Sequence, residues 1–402
     1  MRAVHTHAHE NREPATTRWV RAAGADIARF GEARPLGPTF RLFRSRLLNP
    51  EIRTELTMPD RLMRVPIFVG DGRLELQDRP IPRIQNDDDV LLAVEACGLC
   101  GTDLNILAVP PAHKAAVGTV LGHEFVGTAR QAGSRVTGLK SGDRVVVAPR
   151  LNCGLCRYCR RGLVNQCENY RTLGIHIDGG LAPYCVVPER ALFRIDPKVA
   201  VEDAAFAEVL SCVVSATMRV PANPGDTVVI LGAGPVGLLF AQVYRAGGAG
   251  RIIVTDVSPF RLDFAARCGV DAVVNAQQEN VEEVVGKLAD PYADIVVDAV
   301  GNLLPQAVRL ARRGGRVILF GLQMHAMPAV SQYMITRHEL TLYGAFVGIN
   351  PFPQTVRLLE SGVIRPSALI THRMPVSNVA DAVAAMRAGE TMKVIMEHPK
   401  EA

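Results

Sequence analysis

TVVILGAGPVGLLFAQVYRAGGAGRIIVTD, residues 227–256, constrains the fold of this chain more than any other stretch. Five β-favouring residues run into Gly232-Ala-Gly234-Pro235-Val236-Gly237, and an apolar helical segment follows. G-x-G-x-x-G alone is weak. Here it follows a strand, opens a helix and precedes a second strand ending in Asp256, the full βαβ context of a dinucleotide site. The glycines permit a tight turn and close approach of the backbone to a pyrophosphate resting on the helix N-terminus. Asp256 suits adenosine ribose hydroxyls and repels a 2′-phosphate, which favours NAD over NADP. Arg261 tempers that preference, since a guanidinium beside it can hold the phosphate. Strand–helix alternation continues through DIVVDAVG (294–301) and GGRVILFGL (314–322), as an α/β, doubly wound parallel sheet requires.

The second constraint is CGLCRYCRRGLVNQC (153–167), which holds four of nine cysteines. An odd cysteine count and no secretory signal argue for a reducing, cytoplasmic setting, where clustered thiols mean metal or catalysis rather than disulfides. Cys153, Cys156, Cys159 and Cys167 can close a tetrahedron around Zn²⁺ at about 2.3 Å. Arg157, Arg160 and Arg161 are expected to offset the excess negative charge. Such a site is coordinatively closed, so the lobe is a clamp and the chemistry needs an open centre elsewhere.

CGLCGTDLN (97–105) and GTVLGHEFVG (118–127) supply one. Cys100 is a soft ligand and His123 a borderline one, with Glu124 beside it. Asp103 is placed to accept the second ring N–H of His123, and Thr102 to pass on a proton from an alcohol. Glu124 follows His123 directly, so its side chain is expected to point away unless the loop turns. Cys97 reads as a buried core thiol.

Charge sets the remaining bounds. Residues 1–62 hold eleven Arg, no Lys and seven acidic groups, whereas the other 340 residues carry 34 basic and 33 acidic groups. Near-neutrality over the bulk of the chain gives no case for nucleic-acid binding. No run of eighteen apolar residues suggests a membrane span. The basic head reads as a solvated extension, in which HTHAH (5–9) binds metal adventitiously at most. A β-rich domain begins near Met63, itself a candidate translation start, with two short strands around a Gly-Asp-Gly turn.

From Met63 onward the chain resembles the zinc-containing medium-chain dehydrogenases/reductases of the alcohol dehydrogenase superfamily. The nearest branch is that of sorbitol and other polyol dehydrogenases and threonine dehydrogenase. C-G-T-D, G-H-E, the four-cysteine lobe, G-A-G-P-V-G and D-V-S-P-F-R-L carry the likeness in order and spacing. The resemblance implies a catalytic zinc at Cys100, His123 and Glu124 and a structural zinc in the lobe. Glu208, in AAFAEVLSC, stands where the branch has E-P-L and would ligate the catalytic zinc or hold its water, although Val209 replaces the proline. Cofactor contacts carry over to Gly232, Gly234, Pro235, Val236, Gly237, Asp256 and Arg261, and by position to FGL (320–322, with Gly321) and AFV (345–347, with Phe346).

One departure bears on proton transfer. Many members carry His two residues after the Asp of C-G-T-D, and this chain has Asn105, which cannot shuttle a proton as imidazole does. Proton exit would then run through Thr102 to water, or by a water held at Glu208. The implied architecture is a GroES-like β-rich catalytic domain (63–210 and 347–402), with a Rossmann domain (211–346) inserted and the active site in the cleft between them. The implied activity is hydride transfer between a secondary alcohol (polyol, amino alcohol or cyclitol-like) and NAD, in a homodimer or homotetramer. The loop 107–120 is expected at the cleft mouth, with His113 and Lys114 towards substrate. Two alternatives stay open: a zinc-free NADPH quinone or enoyl reductase, opposed by two zinc constellations and Asp256, and a non-enzymatic NAD-binding module, opposed by retention of Cys100 and His123.

Overall fold

Six parallel strands form one sheet in the order Ala272–Asn275, Arg251–Asp256, Thr227–Leu231, Ala293–Asp298, Ala311–Leu319, Thr341–Gly344. The computed structural model describes residues 61–289, 291–349 and 351–398, so HTHAH and the rest of the basic head lie outside the described residues. Thr227–Leu231 is β-branched almost throughout and nearly fully buried, as a central parallel strand covered on both faces must be. Val228 and Ile230 enter one apolar core and Val229 and Leu231 the core on the opposite face. Strand order reverses beside Thr227–Leu231, and the crevice outside the carboxyl ends at that reversal is where such sheets bind ligands.

A seven-stranded sheet carries the other half. Its path runs Ile370–Pro375, Lys393–Glu397, Asp89–Gly98, Glu124–Ala132, Arg144–Val147, Leu192–Arg194, with Tyr184–Pro188 also paired to Asp89–Gly98. The two C-terminal strands thus return to the N-terminal sheet, and the parallel sheet is inserted between. Leu62–Gly70 and Arg73–Pro80 form an antiparallel hairpin about Asp71, where the sequence places two strands and a turn.

Helix Ala207–Arg219 runs through the expected 210/211 junction without a break, and 346/347 falls in the connection between Thr341–Gly344 and Phe352–Glu360. Buried Leu210, Val213, Val214 and Ala216 of Ala207–Arg219 join one core with helices Pro235–Ala246 and Phe352–Glu360. The same helix packs on Glu124–Ala132 and Arg144–Val147, so it bridges the two halves. At the second junction, Phe352–Glu360 still packs on that helix, and the chain re-enters the seven-stranded sheet at Ile370.

Candidate active site

Cys100 closes the strand Asp89–Gly98 and caps the short helix Gly101–Ile106. Asp103, three residues on, accepts the Cys100 backbone N–H on Oδ2 at 2.9 Å, which fixes the turn and with it the direction of the thiol. Thr102 Oγ1 lies 3.7 Å from Cys100 Sγ. The facing strand Glu124–Ala132 pairs Glu124 with Gly98, and so delivers His123 and Glu124 to the same place. Metal-ligating atoms of Cys100, His123 and Glu124 all lie within 4.8 Å of one another. The loop does turn, and Glu124 faces inward.

The trio fits a cation. Asp103 Oδ1, His123 Nδ1 and Glu124 Oε1 are buried without hydrogen-bond partners. Unsatisfied polar atoms are costly in a native core unless something binds there. His123 Nδ1 and Asp103 Oδ1 face each other at 3.8 Å, too long for a hydrogen bond; Asp103 spends its other oxygen on the helix cap instead. Burial opposes the imidazolium, but Asp103, Cys100 and Glu208 together hold the His123 pKa well above its ordinary value. This is a strongly cation-seeking pocket.

Lys393 is a residue the sequence reading did not single out. It opens the buried strand Lys393–Glu397, is 4 % exposed, and pairs with Glu124 Oε2. Burial alone would lower the Lys393 pKa, and Glu124 reverses the effect and raises it. Gly98 makes the pair possible: a Cβ there would stand 2.5 Å from Glu124 Oε2 and 2.9 Å from Lys393 Cε. A lone lysine in an otherwise apolar strand signals a buried counter-ion, but nothing in the sequence says which one.

Glu208, on helix Ala207–Arg219, does not complete the trio. It accepts a weak bond from Cys212 Sγ at 3.8 Å, and burial pushes its pKa up to about 7. It lines a cavity of about 120 Å³ between the halves, with Arg150, Asn165 and Arg190 on one side and Val347, Gly348 and Phe352 on the other. The loop 107–120 contributes nothing to this cavity, and Lys114 is exposed. His113 Nδ1 turns to the Lys114 carbonyl at 3.0 Å. Asn105 offers its backbone oxygen to the N–H groups of Ala112 and His113.

The cysteine lobe stands apart. Cys167 Sγ is 3.5 Å from Cys153 Sγ and 4.0 Å from Cys156 Sγ. A tetrahedron with bonds of about 2.3 Å has S···S edges of about 3.8 Å. The backbone N–H of Cys156 donates to Cys153 Sγ and that of Cys153 to Cys167 Sγ. Backbone N–H groups, Leu155's first, pull the Cys153 pKa to about 6, while desolvation and the neighbouring thiols push Cys159 up to about 12. Four thiolates cannot form together without a cation, and the set fits zinc. Arg157 is not the expected counter-charge: it pairs with Glu168 at 2.8 Å, because a carboxylate lies within reach on the lobe surface.

At the dinucleotide motif each glycine has its own reason. Gly232 has φ 107°, which a side chain resists. Gly234 has open space where a Cβ would stand, leaving room for a phosphate, and a Cβ at Gly237 would meet Gly232 O at 1.9 Å. Pro235 and Val236 begin helix Pro235–Ala246. Asp256 accepts Ala233 N–H at 2.8 Å and Ser258 N–H at 2.9 Å, one on each oxygen, which leaves lone pairs for further donors. Arg261 Nη1 stands 3.9 Å from Asp256 Oδ2. Gly321 packs so tightly on Val300 and Gly301 that no side chain fits, and Phe346, 38 % exposed, lies over the cleft with its carbonyl bonded by Asn165 Nδ2.

Comparison with known proteins agrees with this geometry. Residues 86–197 match the alcohol dehydrogenase GroES-like domain and residues 235–361 the zinc-binding dehydrogenase domain. Sorbitol dehydrogenase of Bacillus subtilis is 32 % identical over 342 residues, covering 83 % of this chain and 97 % of that protein. The chain belongs to the zinc-containing medium-chain dehydrogenases/reductases. A putative zinc-binding dehydrogenase from Sinorhizobium meliloti 1021, bound to NADP, superposes with TM-score 0.80 at 31 % identity over 84 % of this chain and 99 % of that one. A short chain alcohol dehydrogenase from E. coli CFT073, complexed with NADH, superposes with TM-score 0.78 at 30 % identity, with the same coverage. This family member is an alcohol oxidoreductase with a GroES-like and a Rossmann half, and among the described residues no helix is long and apolar enough to cross a membrane.

Proposed function

We propose that the chain oxidises a secondary alcohol of the polyol, amino-alcohol or cyclitol kind, with NAD as hydride acceptor and a zinc ion held by Cys100, His123 and Glu124. The observation that carries the reading is the convergence of these three ligands with three unpartnered buried polar atoms. The name of the Bacillus subtilis relative favours a polyol. NAD rather than NADP follows from Asp256, whose remaining lone pairs suit ribose hydroxyls and whose charge repels a 2′-phosphate.

Zinc bound at the trio supplies Lewis acidity towards a substrate oxygen. Nicotinamide supplies the hydride acceptor. The chain's own residues do the rest. Thr102, beside Cys100, accepts the substrate hydroxyl proton and passes it to water, since Asn105 cannot relay it. Asp103 faces His123 Nδ1 at 3.8 Å and supplies negative charge on that side of the ring. Lys393 pairs with Glu124 and limits how far it can swing. Glu208 faces the cavity and holds water there.

The test is an NAD⁺-reduction screen across polyols, amino alcohols, simple alcohols and aminocyclitols, followed by Cys100→Ser and His123→Ala. Each variant is expected to lose turnover and one zinc per chain while NADH fluorescence titration is unchanged. Full activity in zinc-depleted Cys100→Ser protein refutes the reading.

A further inference from the structure

Arg150 is a half-buried cation with no carboxylate partner among the described residues, although the Cys167 and Cys212 thiols lie close enough to favour its charge. It lies on the short strand Arg150–Leu151, between the seven-stranded sheet and the cysteine lobe, and lines the same cavity as Glu208. Its guanidinium carbon stands 3.6 Å from the centroid of the Tyr170 ring and 5.4 Å from that of Phe346. Among the described residues no carboxylate forms an ion pair with it, and its Nε is buried without a hydrogen-bond partner. Glu208 is the cavity's one acidic lining residue, while exposed Arg190 adds a second guanidinium with no carboxylate partner.

A guanidinium keeps its charge, so its burial is unfavourable unless something compensates. Burial indeed pushes the Arg150 pKa down, and Tyr170 offsets the effect only in part. Cation–π contacts are worth about 0.5–2 kcal/mol and occupy the flat faces of the group. Tyr170 also accepts a side-chain hydrogen bond from the group, which leaves further N–H donors uncommitted. An arginine held by aromatic rings with uncommitted N–H donors is preorganised for an oxyanion. Asn165 lines the same wall, with its Oδ1 buried and unpartnered.

We infer that Arg150 is a specificity-determining residue that receives the anionic end of the alcohol substrate, a carboxylate or a phosphate on a polyol stem. The inference rests on the proposed alcohol oxidation at the neighbouring trio. It makes the preferred substrate a polyhydroxylated acid or polyol phosphate rather than a neutral polyol. The cavity then holds one end of the molecule by charge, while the carbinol to be oxidised reaches towards Cys100 and His123.

The experiment compares matched sets of four- to six-carbon substrates, namely neutral polyols, the corresponding aldonates and the corresponding polyol phosphates, with wild-type, Arg150→Gln and Arg150→Lys protein. Wild type is expected to prefer one anionic set over its neutral match by about tenfold or more in kcat/KM. Arg150→Gln should lose about 10- to 100-fold of that preference, mainly through KM, the range expected for hydrogen bonds to charged groups. Arg150→Lys should recover part of it. KM for NAD⁺, zinc content and melting temperature should stay unchanged, and whichever anionic set responds identifies carboxylate or phosphate.

Equal turnover of neutral and anionic sets by wild type overturns the inference and leaves the proposed function standing. A fall that is the same for both sets, or a raised KM for NAD⁺, also overturns it, assigning Arg150 to lobe support or to cofactor. If no set yields NADH, the proposed function still stands on its own wider screen, and titration calorimetry with the same aldonates and phosphates on the NADH complex reads Arg150 directly. Binding weakened in Arg150→Gln supports the anion site, and binding unaffected or absent sinks it.

Discussion

In the zinc-stripped protein, replacing Lys393 by Met removes a buried charge and leaves Glu124 without its ion-pair partner. The two side chains are 4 % and 0 % exposed, and Glu124 sits among the candidate metal ligands. Breaking such a pair by deleting one partner costs about 3–5 kcal/mol, because the remaining charge is stranded. A stranded glutamate escapes by taking up a proton, which for an ordinary pKa of about 4.3 costs about 3.7 kcal/mol at pH 7. The expected loss is therefore about 3–4 kcal/mol, with the added methionine packing against Phe206, which Lys393 now overlies at 5.6 Å. The proton also fixes the pH dependence. A carboxyl protonated in the folded variant has a raised folded pKa, so its contribution is present below the unfolded pKa and is lost as pH rises. Lys393→Met should thus approach wild type near pH 4–5 and fall away towards pH 8. Urea denaturation of Lys393→Met, Glu124→Gln and the double variant across that range, with zinc analysis of each, measures the coupling. The double variant should recover about 2 kcal/mol relative to Lys393→Met. A zinc-stripped Lys393→Met protein within 1 kcal/mol of zinc-stripped wild type at pH 8 refutes the reasoning.

Three further outcomes are expected. Cys159→Ser should remove one zinc per chain and lower melting temperature, while the surviving folded fraction keeps its kcat; selective loss of turnover with unchanged stability would contradict a clamp role for the lobe. Asp256→Ala should raise NADP⁺ use relative to NAD⁺, read as the ratio of kcat/KM values, and cost about 1–3 kcal/mol because Ala233 and Ser258 N–H groups lose their acceptor. If wild type already prefers NADP⁺, Arg261 dominates and the assignment of Asp256 fails. Burial holds the His398 pKa at about 4, below its ordinary 6.5, and its Nε2 bonds the Gly180 carbonyl at 3.0 Å. The depressed folded pKa means this stability is present above pH 6.5 and lost as pH falls towards 4. Wild type should lose about 2 kcal/mol more than His398→Gln over that window in pH-dependent thermal melts; parallel curves would exclude the histidine.

The sequence by itself determined the parts of this protein that are local. A strand, three spaced glycines and a helix make the pyrophosphate turn whatever surrounds them, because Gly232 must adopt a positive φ and Gly237 must touch its carbonyl. Four cysteines within fifteen residues likewise bring their sulfurs together through tight turns alone. Cys100 and Asp103 are joined by one helix cap, a contact within a single turn, although the sequence had pointed Asp103 at the His123 ring. What only the tertiary structure decided depends on strands distant in sequence. Lys393 meets Glu124 from 269 residues away because the C-terminal strand pairs with Asp89–Gly98. Arg150 finds its ring faces in Tyr170 and Phe346, one from the lobe and the other from beyond the last parallel strand. Helix Ala207–Arg219 bridges the two halves, and nothing local near 210 marks where one ends. The spacing left Glu124 and Glu208 level, and it is the facing strands that bring Glu124 beside Cys100 and His123 while Glu208 lines the cavity. Spacing fixes contacts the chain makes within a turn or two, whereas burial, ion pairing and the direction of a carboxylate are set by which surfaces the sheets bring into register.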